Sequence, residues 1–432
     1  MKKHVLKRVF LFLSALLLLL TVTACSTPKD SQLILSDAEE ERVVNLFSPM
    51  EKINPDAQNV ARTASELTIA LAEEKVGTTM AYRTYTAADY QDKTYDDVTL
   101  ERARNNMDDM YLLNPDVISA LGKERLLADL SDMECVDNLR DVIITANTVD
   151  GKLVAIPQEV VAYGLFINTD IFEKCHLEIP NTPEEFLACC QVLQDKGYET
   201  PVGANRWWLE TFVFAQAYAD LYNGGDTEAE IAALNSGEKK YSDYMRPSFE
   251  FLQELIDRGF IDAEKAVVSE AIEGEGSDFL AGKTPIVMAY WGAANTETAY
   301  GKTDFSMQVI GFPSSRGQMP VMTITGFGIG VEAEHREDAI ATLDAMLTDE
   351  ALQLYSEMNQ VISPSKNVEV DCVDSLKPLN ALIQENVYVL ASNANMKLEQ
   401  WGNVCLLVRD LLEGATVEEC MEKLDRLQAE AT

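Results

Sequence analysis

Three short runs in the middle of the chain decide its fold class: Asp150-Gly151-Lys152-Leu153-Val154-Ala155-Ile156-Pro157, then Tyr163-Gly164-Leu165-Phe166-Ile167-Asn168-Thr169-Asp170-Ile171-Phe172, then Ile179-Pro180-Asn181-Thr182-Pro183-Glu184-Glu185-Phe186. Lys152–Ile156 and Tyr163–Ile167 are short apolar runs of strand length. Thr182 can cap a helix that carries Pro183 in its first turn. Strand, strand and helix in quick succession predict an α/β chain.

Working outward, the same alternation continues. Val43–Phe47 reads as a first strand, 57–75 as a helix with apolar residues at Ala61, Leu67, Ala70 and Leu71, and Thr78–Tyr82 as a strand. Thr99–Met107 reads as a helix. Met110-Tyr111-Leu112-Leu113, closed by Asn114-Pro115, has the continuous apolar character of a buried parallel strand. Downstream, 197–259 is mostly helical, Pro285–Tyr290 and Gly326–Val331 return to strand, and helices dominate 337–358 and 400–428.

At 432 residues the chain exceeds one compact core and suits two lobes. It carries 35 basic and 71 acidic residues, a net charge of −36. Such a surface repels phosphate backbones, so nucleic acid is excluded as a partner. Beyond Cys25 stand Cys135, Cys175, Cys189, Cys190, Cys372, Cys405 and Cys420, odd in number and irregular in spacing. They form no legible disulfide framework and read as small buried hydrophobes, with one bridge left open. His176 and His335 lie far apart and no Cys-x-x-Cys occurs, so neither a metal site nor a cofactor is expected. No nucleophile elbow or phosphate-cradling glycine loop is present.

Residues 1–24 run from Lys2, Lys3, Lys7 and Arg8 through an apolar stretch to small residues, the order of a secretory signal peptide. Val22-Thr23-Ala24-Cys25 resembles the bacterial lipobox. That resemblance implies cleavage before Cys25, lipidation of its thiol, and tethering to the outer face of the cytoplasmic membrane. Two acyl chains give a durable hold. Residues 25–40 are polar and read as the lipidated cysteine and a flexible spacer.

The three central runs also resemble the extracellular solute-binding proteins of ABC importers, nearest to the sugar-binding branch that includes maltose-binding protein. Further likenesses follow in order: Pro115-Asp116-Val117, Leu126–Leu130, Phe279–Lys283 leading to Met288-Ala289-Tyr290-Trp291, Gly311-Phe312-Pro313, Gly326-Phe327-Gly328, Asp349-Glu350 and Ser363-Pro364. The likeness runs from about residue 95 to the C-terminus; 41–94 fit loosely. It implies a two-lobed class II binding-protein fold with a hinge and a ligand cleft between the lobes. Lobe 1 would take 41–159 plus 285–335, and lobe 2 would take 160–284 plus 336–432.

By the same resemblance Trp291 and Trp401 fall at sugar-stacking positions, and Trp207 or Trp208 near a third. Asp116 falls at a carboxylate that accepts hydrogen bonds from sugar hydroxyls. Its alternative role is a helix cap after Pro115. The family position that often holds a glutamate is Val161 here, and Glu159, two residues earlier on the same strand face, is its substitute. Tyr163 and Asn295 are further candidates, with Arg83, Thr84 and Tyr85 at the rim. The implied function is capture of a carbohydrate, an oligosaccharide, by a monomeric receptor that delivers it to the permease subunits. No bond is made or broken. A polyamine or peptide ligand, an anchored glycoside hydrolase using Asp116 and Glu159, and a ligand sensor are the alternatives.

Overall fold

The computed structural model describes residues 42–50, 63–90, 93–206, 208–268, 275–292 and 303–431. The expected signal peptide, Cys25 and spacer, together with Trp207 and Asn295, lie outside them.

The strands that frame the molecule are β1 (Val43–Ser48), β2 (Thr79–Thr84), β3 (Met110–Leu113), β4 (Val161–Asn168), β5 (Val202–Gly203), β6 (Ile286–Trp291), β7 (Met307–Ile310), β8 (Val321–Thr323), β9 (Gly326–Ile329) and β10 (Val389–Leu390). They form two separate sheets. The first has the order β9-β3-β1-β2, with β1 parallel to β2 and β3 and β9 antiparallel at the edge. The second has the order β10-β8-β4-β6-β5, with β7 also paired to β4.

Around the sheets pack α1 (Ala64–Val76), α2 (Tyr95–Arg104), α3 (Pro115–Lys123), α4 (Pro183–Asp195), α5 (Leu209–Ala217), α6 (Tyr241–Asp257), α7 (Arg336–Met346), α8 (Asp349–Asn359), α9 (Trp401–Leu412) and α10 (Val417–Ala431). The expected cap at Thr182 is present: its hydroxyl accepts from the Glu185 N–H at 3.3 Å, and Glu185 reaches back to the Thr182 backbone. Such a capping box satisfies two N–H groups that the helix leaves unpaired. α5 is buried nearly all round, as a helix in the middle of a layer must be, and it packs against α6 and α9.

The chain crosses between the sheets near 157–160, 324–325 and 361–363. Isolated bridges Ile156↔Phe327 and Val160↔Ile362 tie these crossings together. The strands after Pro285 pair differently from what the expected division of the chain would have them do. β6 pairs with β4 from Ala162↔Trp291 to Ile167↔Ile286, and β7 and β8 pair with β4 as well, so these three strands join the second sheet. Only β9 rejoins the first. Helices α7 and α8 pack on α1, which puts 336–359 with the first sheet too. An apolar run such as Ile286–Trp291 fits the edge of either sheet; its partner is a matter of tertiary register.

The strand expected over Lys152–Ile156 is confined to Lys152–Leu153, which pairs with Thr148–Val149. The cysteines behave as small buried hydrophobes: all seven described are free thiols, and all but Cys405 are buried.

Candidate functional site

β3 ends at Leu113, and Asn114 and Pro115 carry the chain straight into α3. Asn114 takes the cap position without a side-chain cap bond, so Asp116 sits inside the first turn and is not the cap. Its carboxylate turns outward across the gap between the sheets, where Ser392 Oγ donates to Asp116 Oδ1 at 3.1 Å. A cavity of about 210 Å³ opens there, lined by Asp96, Asn114, Pro115 and Asp116 from the first sheet's side. Tyr163 of β4, Thr323 and Thr325 at the β8–β9 crossing, and Trp401 at the start of α9 close the opposite side. A hollow at the carboxyl end of a parallel strand and between two layers is where α/β folds place ligands.

Of the residues expected in the cleft, Asp116, Tyr163 and Trp401 are brought together. The Tyr163 and Trp401 rings lie 5.7 Å apart between centroids. An aromatic cluster extends from them. Tyr163 stands 5.4 Å from Tyr290, its cross-strand partner, and Tyr290 meets Trp208 edge-on at 5.7 Å. Trp208 is 6% exposed and lines no part of the cavity, so it supports the pocket from behind. Glu159 is half-buried outside the lining, and its charge raises the pKa of Tyr290, whose hydroxyl is already raised by burial.

Trp291 departs from expectation. It is 1% exposed, packs on Phe166 at 6.1 Å, and its indole N–H donates to the Gln360 carbonyl at 2.7 Å. Successive side chains on a strand point to opposite faces. With Tyr290 turned toward Tyr163 and the cavity, Trp291 faces the core and the end of α8. Both faces of its ring are covered, so its role is packing.

The rim candidates are tied to their own neighbours. Arg83 donates to Asn45 Oδ1 at 3.3 Å, Thr84 to the Met50 carbonyl at 2.9 Å, and the Tyr85 hydroxyl to the Lys93 carbonyl at 2.9 Å.

Several site residues carried no signal in the sequence. Asp96 enters from the start of α2, held by Asn114 Nδ2 at 2.8 Å. Thr323 and Thr325 come from a crossing that no local pattern marks. Tyr290 was within reach, since it neighbours Trp291 and pairs with Tyr163. The electrostatics are those of a drying, acidic pocket. Burial raises the Asp96 carboxyl, opposed by its bond from Asn114. Burial and the neighbouring Glu399 push Asp116 up to about 7, against the stabilising bonds from Ser392 and the Gly402 N–H. Burial also raises the Tyr163 hydroxyl, with Glu210 of α5 and Tyr290 adding to it. Glu210 is fully buried, its carboxyl oxygens make no hydrogen bond among the described residues, and burial holds it well above the usual carboxylate range.

Chemically the arrangement offers an indole face, a phenol, two threonine hydroxyls, an amide and two carboxyls around a small hollow. Those groups suit a ligand with apolar C–H patches ringed by hydroxyls. Among the described residues no cluster of three or more His, Cys, Asp or Glu could hold a metal ion. Likewise no described helix is long and apolar enough to cross a membrane.

Comparison with known proteins bears on the family and the fold. A model of the bacterial extracellular solute-binding proteins matches residues 58–353. Among solved structures, a family 1 extracellular solute-binding protein from Bifidobacterium longum subsp. infantis aligns with TM-score 0.69 at 18% identity, covering 90% of this chain and 99% of its own. The apo-form of RafE from Streptococcus pneumoniae aligns with TM-score 0.69 at 16% identity, covering 90% and 98%. A sugar transporter from Bacillus licheniformis in complex with stachyose aligns with TM-score 0.65 at 16% identity, covering 90% and 100%. At such identities the likeness is one of fold, and it is the α/β two-lobed fold of binding proteins. No curated protein matches in sequence.

Proposed function

This chain belongs to the bacterial extracellular solute-binding proteins, and we propose that it captures an oligosaccharide and delivers it to the transmembrane subunits of an ABC importer. The observation that carries the reading is the cavity between the sheets, where Trp401 and Tyr163 face Asp116, Asn114, Thr323 and Thr325. Sugars bound by structural neighbours, such as the stachyose of the Bacillus licheniformis protein and the raffinose of RafE, support the choice of class.

The ligand is held without covalent chemistry. Residues from both sheets line the pocket, so only a closed arrangement contacts the ligand from both sides. A ligand that binds the closed state better shifts the equilibrium toward closure. The lobes divide at the crossings: 42–157 with 326–360, and 160–323 with 363–431. Lipid on Cys25 tethers a monomer to the outer face of the cytoplasmic membrane and raises its concentration near the permease.

Isothermal titration with raffinose, stachyose and chitin oligosaccharides, and spermidine as contrast, tests the ligand class. Heat from spermidine alone refutes it. New reducing ends from any of these sugars would place the chain among the hydrolases instead.

A further inference from the structure

Glu399 is exposed and lies outside the cavity's lining, yet its charge acts on both lining carboxyls, Asp96 and Asp116. It lies just before α9, whereas Asp116 lies in the first turn of α3. The two converge on Gly402: a Cβ there would stand 3.4 Å from Glu399 Oε1 and 3.9 Å from Asp116 Oδ2. Ser392 Oγ holds the other Asp116 oxygen at 3.1 Å, and the Gly402 N–H donates to the same carboxyl. Two carboxyl groups brought to one glycine repel when both are charged, so Glu399 adds to burial in keeping the proton on Asp116.

Other groups facing the pair are few. Asp96 of α2 adds negative charge, and Tyr163 of β4 is neutral. Lys123 of α3 is the nearby cation; its ammonium donates to the Met396 carbonyl at 2.8 Å, and burial lowers its pKa. The N-terminus of α9 favours the ionised form of Asp116.

We propose that Glu399 is a positioning residue of the ligand site: its carboxyl group, set against Asp116 at Gly402, keeps the proton on Asp116, and Asp116 meets a neutral ligand as donor as well as acceptor. This rests on the reading of the cavity as the ligand site. Asp116 sheds that proton as pH rises through about 7.

The test uses the full chain without ligand. Intrinsic fluorescence is followed from about pH 5 to about pH 9, bracketing the shifted carboxyl, with Trp401→Phe identifying the signal of the ring beside Gly402. Infrared absorption of the protonated carboxyl is read in parallel. The expected result is one transition with a midpoint near 7 in both signals. Glu399→Gln abolishes it or moves it by a pH unit or more, and Glu399→Asp retains it. An infrared band that persists unchanged above neutrality in the parent chain, or the same midpoint in Glu399→Gln, overturns the proposal.

A second arm titrates raffinose and stachyose at about pH 6 and about pH 8. Affinity is expected to fall up to about tenfold at the higher pH, and to stay level in Glu399→Gln. Sugar binding without the transition refutes the proton kept on Asp116 and leaves the sugar reading intact. A transition without sugar binding does the reverse.

Discussion

Trp291→Phe separates packing from ligand contact, because the fold buries Trp291 and turns Trp401 to the cavity although sequence likeness treats them alike. Trp291 is 1% exposed and its N–H is bonded to the Gln360 carbonyl. Gln360 has φ of +53° and ends α8, so the indole pins a left-handed cap. Phenylalanine leaves that half-buried carbonyl one donor short, at about 1–3 kcal/mol. The smaller ring leaves a void of roughly 40 Å³, worth about 1 kcal/mol. The sum is about 2–4 kcal/mol. With an unfolding entropy near 2 cal/mol/K per residue, that lowers Tm by about 3–5 °C. Folded Trp291→Phe should bind oligosaccharide within about twofold of the parent. Trp401→Ala, at a half-buried ring facing the cavity, should cost about 1 kcal/mol of stability and tenfold or more in affinity. Calorimetric melting and isothermal titration of both variants decide it. Near-parental Tm together with lost binding in Trp291→Phe would refute the packing assignment.

Three further outcomes follow from particular contacts. The Asp116 carboxyl is raised above its ordinary value in the folded chain, so the folded state holds an extra proton between about pH 4 and about 7. Stability from this group therefore falls as pH climbs through that window. Asp116→Asn should gain about 1–2 kcal/mol relative to the parent between about pH 4.5 and about pH 8, the shift being discounted for water at the cavity mouth; urea midpoints at the two pH values read the difference. Gly164→Ala would place a Cβ 2.1 Å from the Ile310 carbonyl, where β7 runs against β4, and should lower the yield of folded chain or cost more than about 3 kcal/mol. Thr182→Ala removes the cap of α4 and should cost about 1 kcal/mol by urea denaturation.

Local sequence is enough for whatever depends on near neighbours. The Thr182 cap, the apolar runs of β1, β3, β4 and β6, and the long helices at the C-terminus all follow from periodicity and punctuation, which are properties of consecutive residues. Family likeness adds the two-lobed architecture and brings Asp116, Tyr163 and Trp401 together. Sheet membership was not legible, because β6 and β8 are apolar enough for either sheet and only the register of β4 assigns them. Nor was the face of Trp291: Tyr290 and Trp291 are adjacent aromatics, and a strand turns one to the cavity and the other to the core. Asp96, Thr325, Ser392 and Glu399 are distant along the chain and meet only because three crossings bring the two layers together. A site assembled between layers is a product of long-range packing, and no local pattern encodes the identity of residues that touch across it.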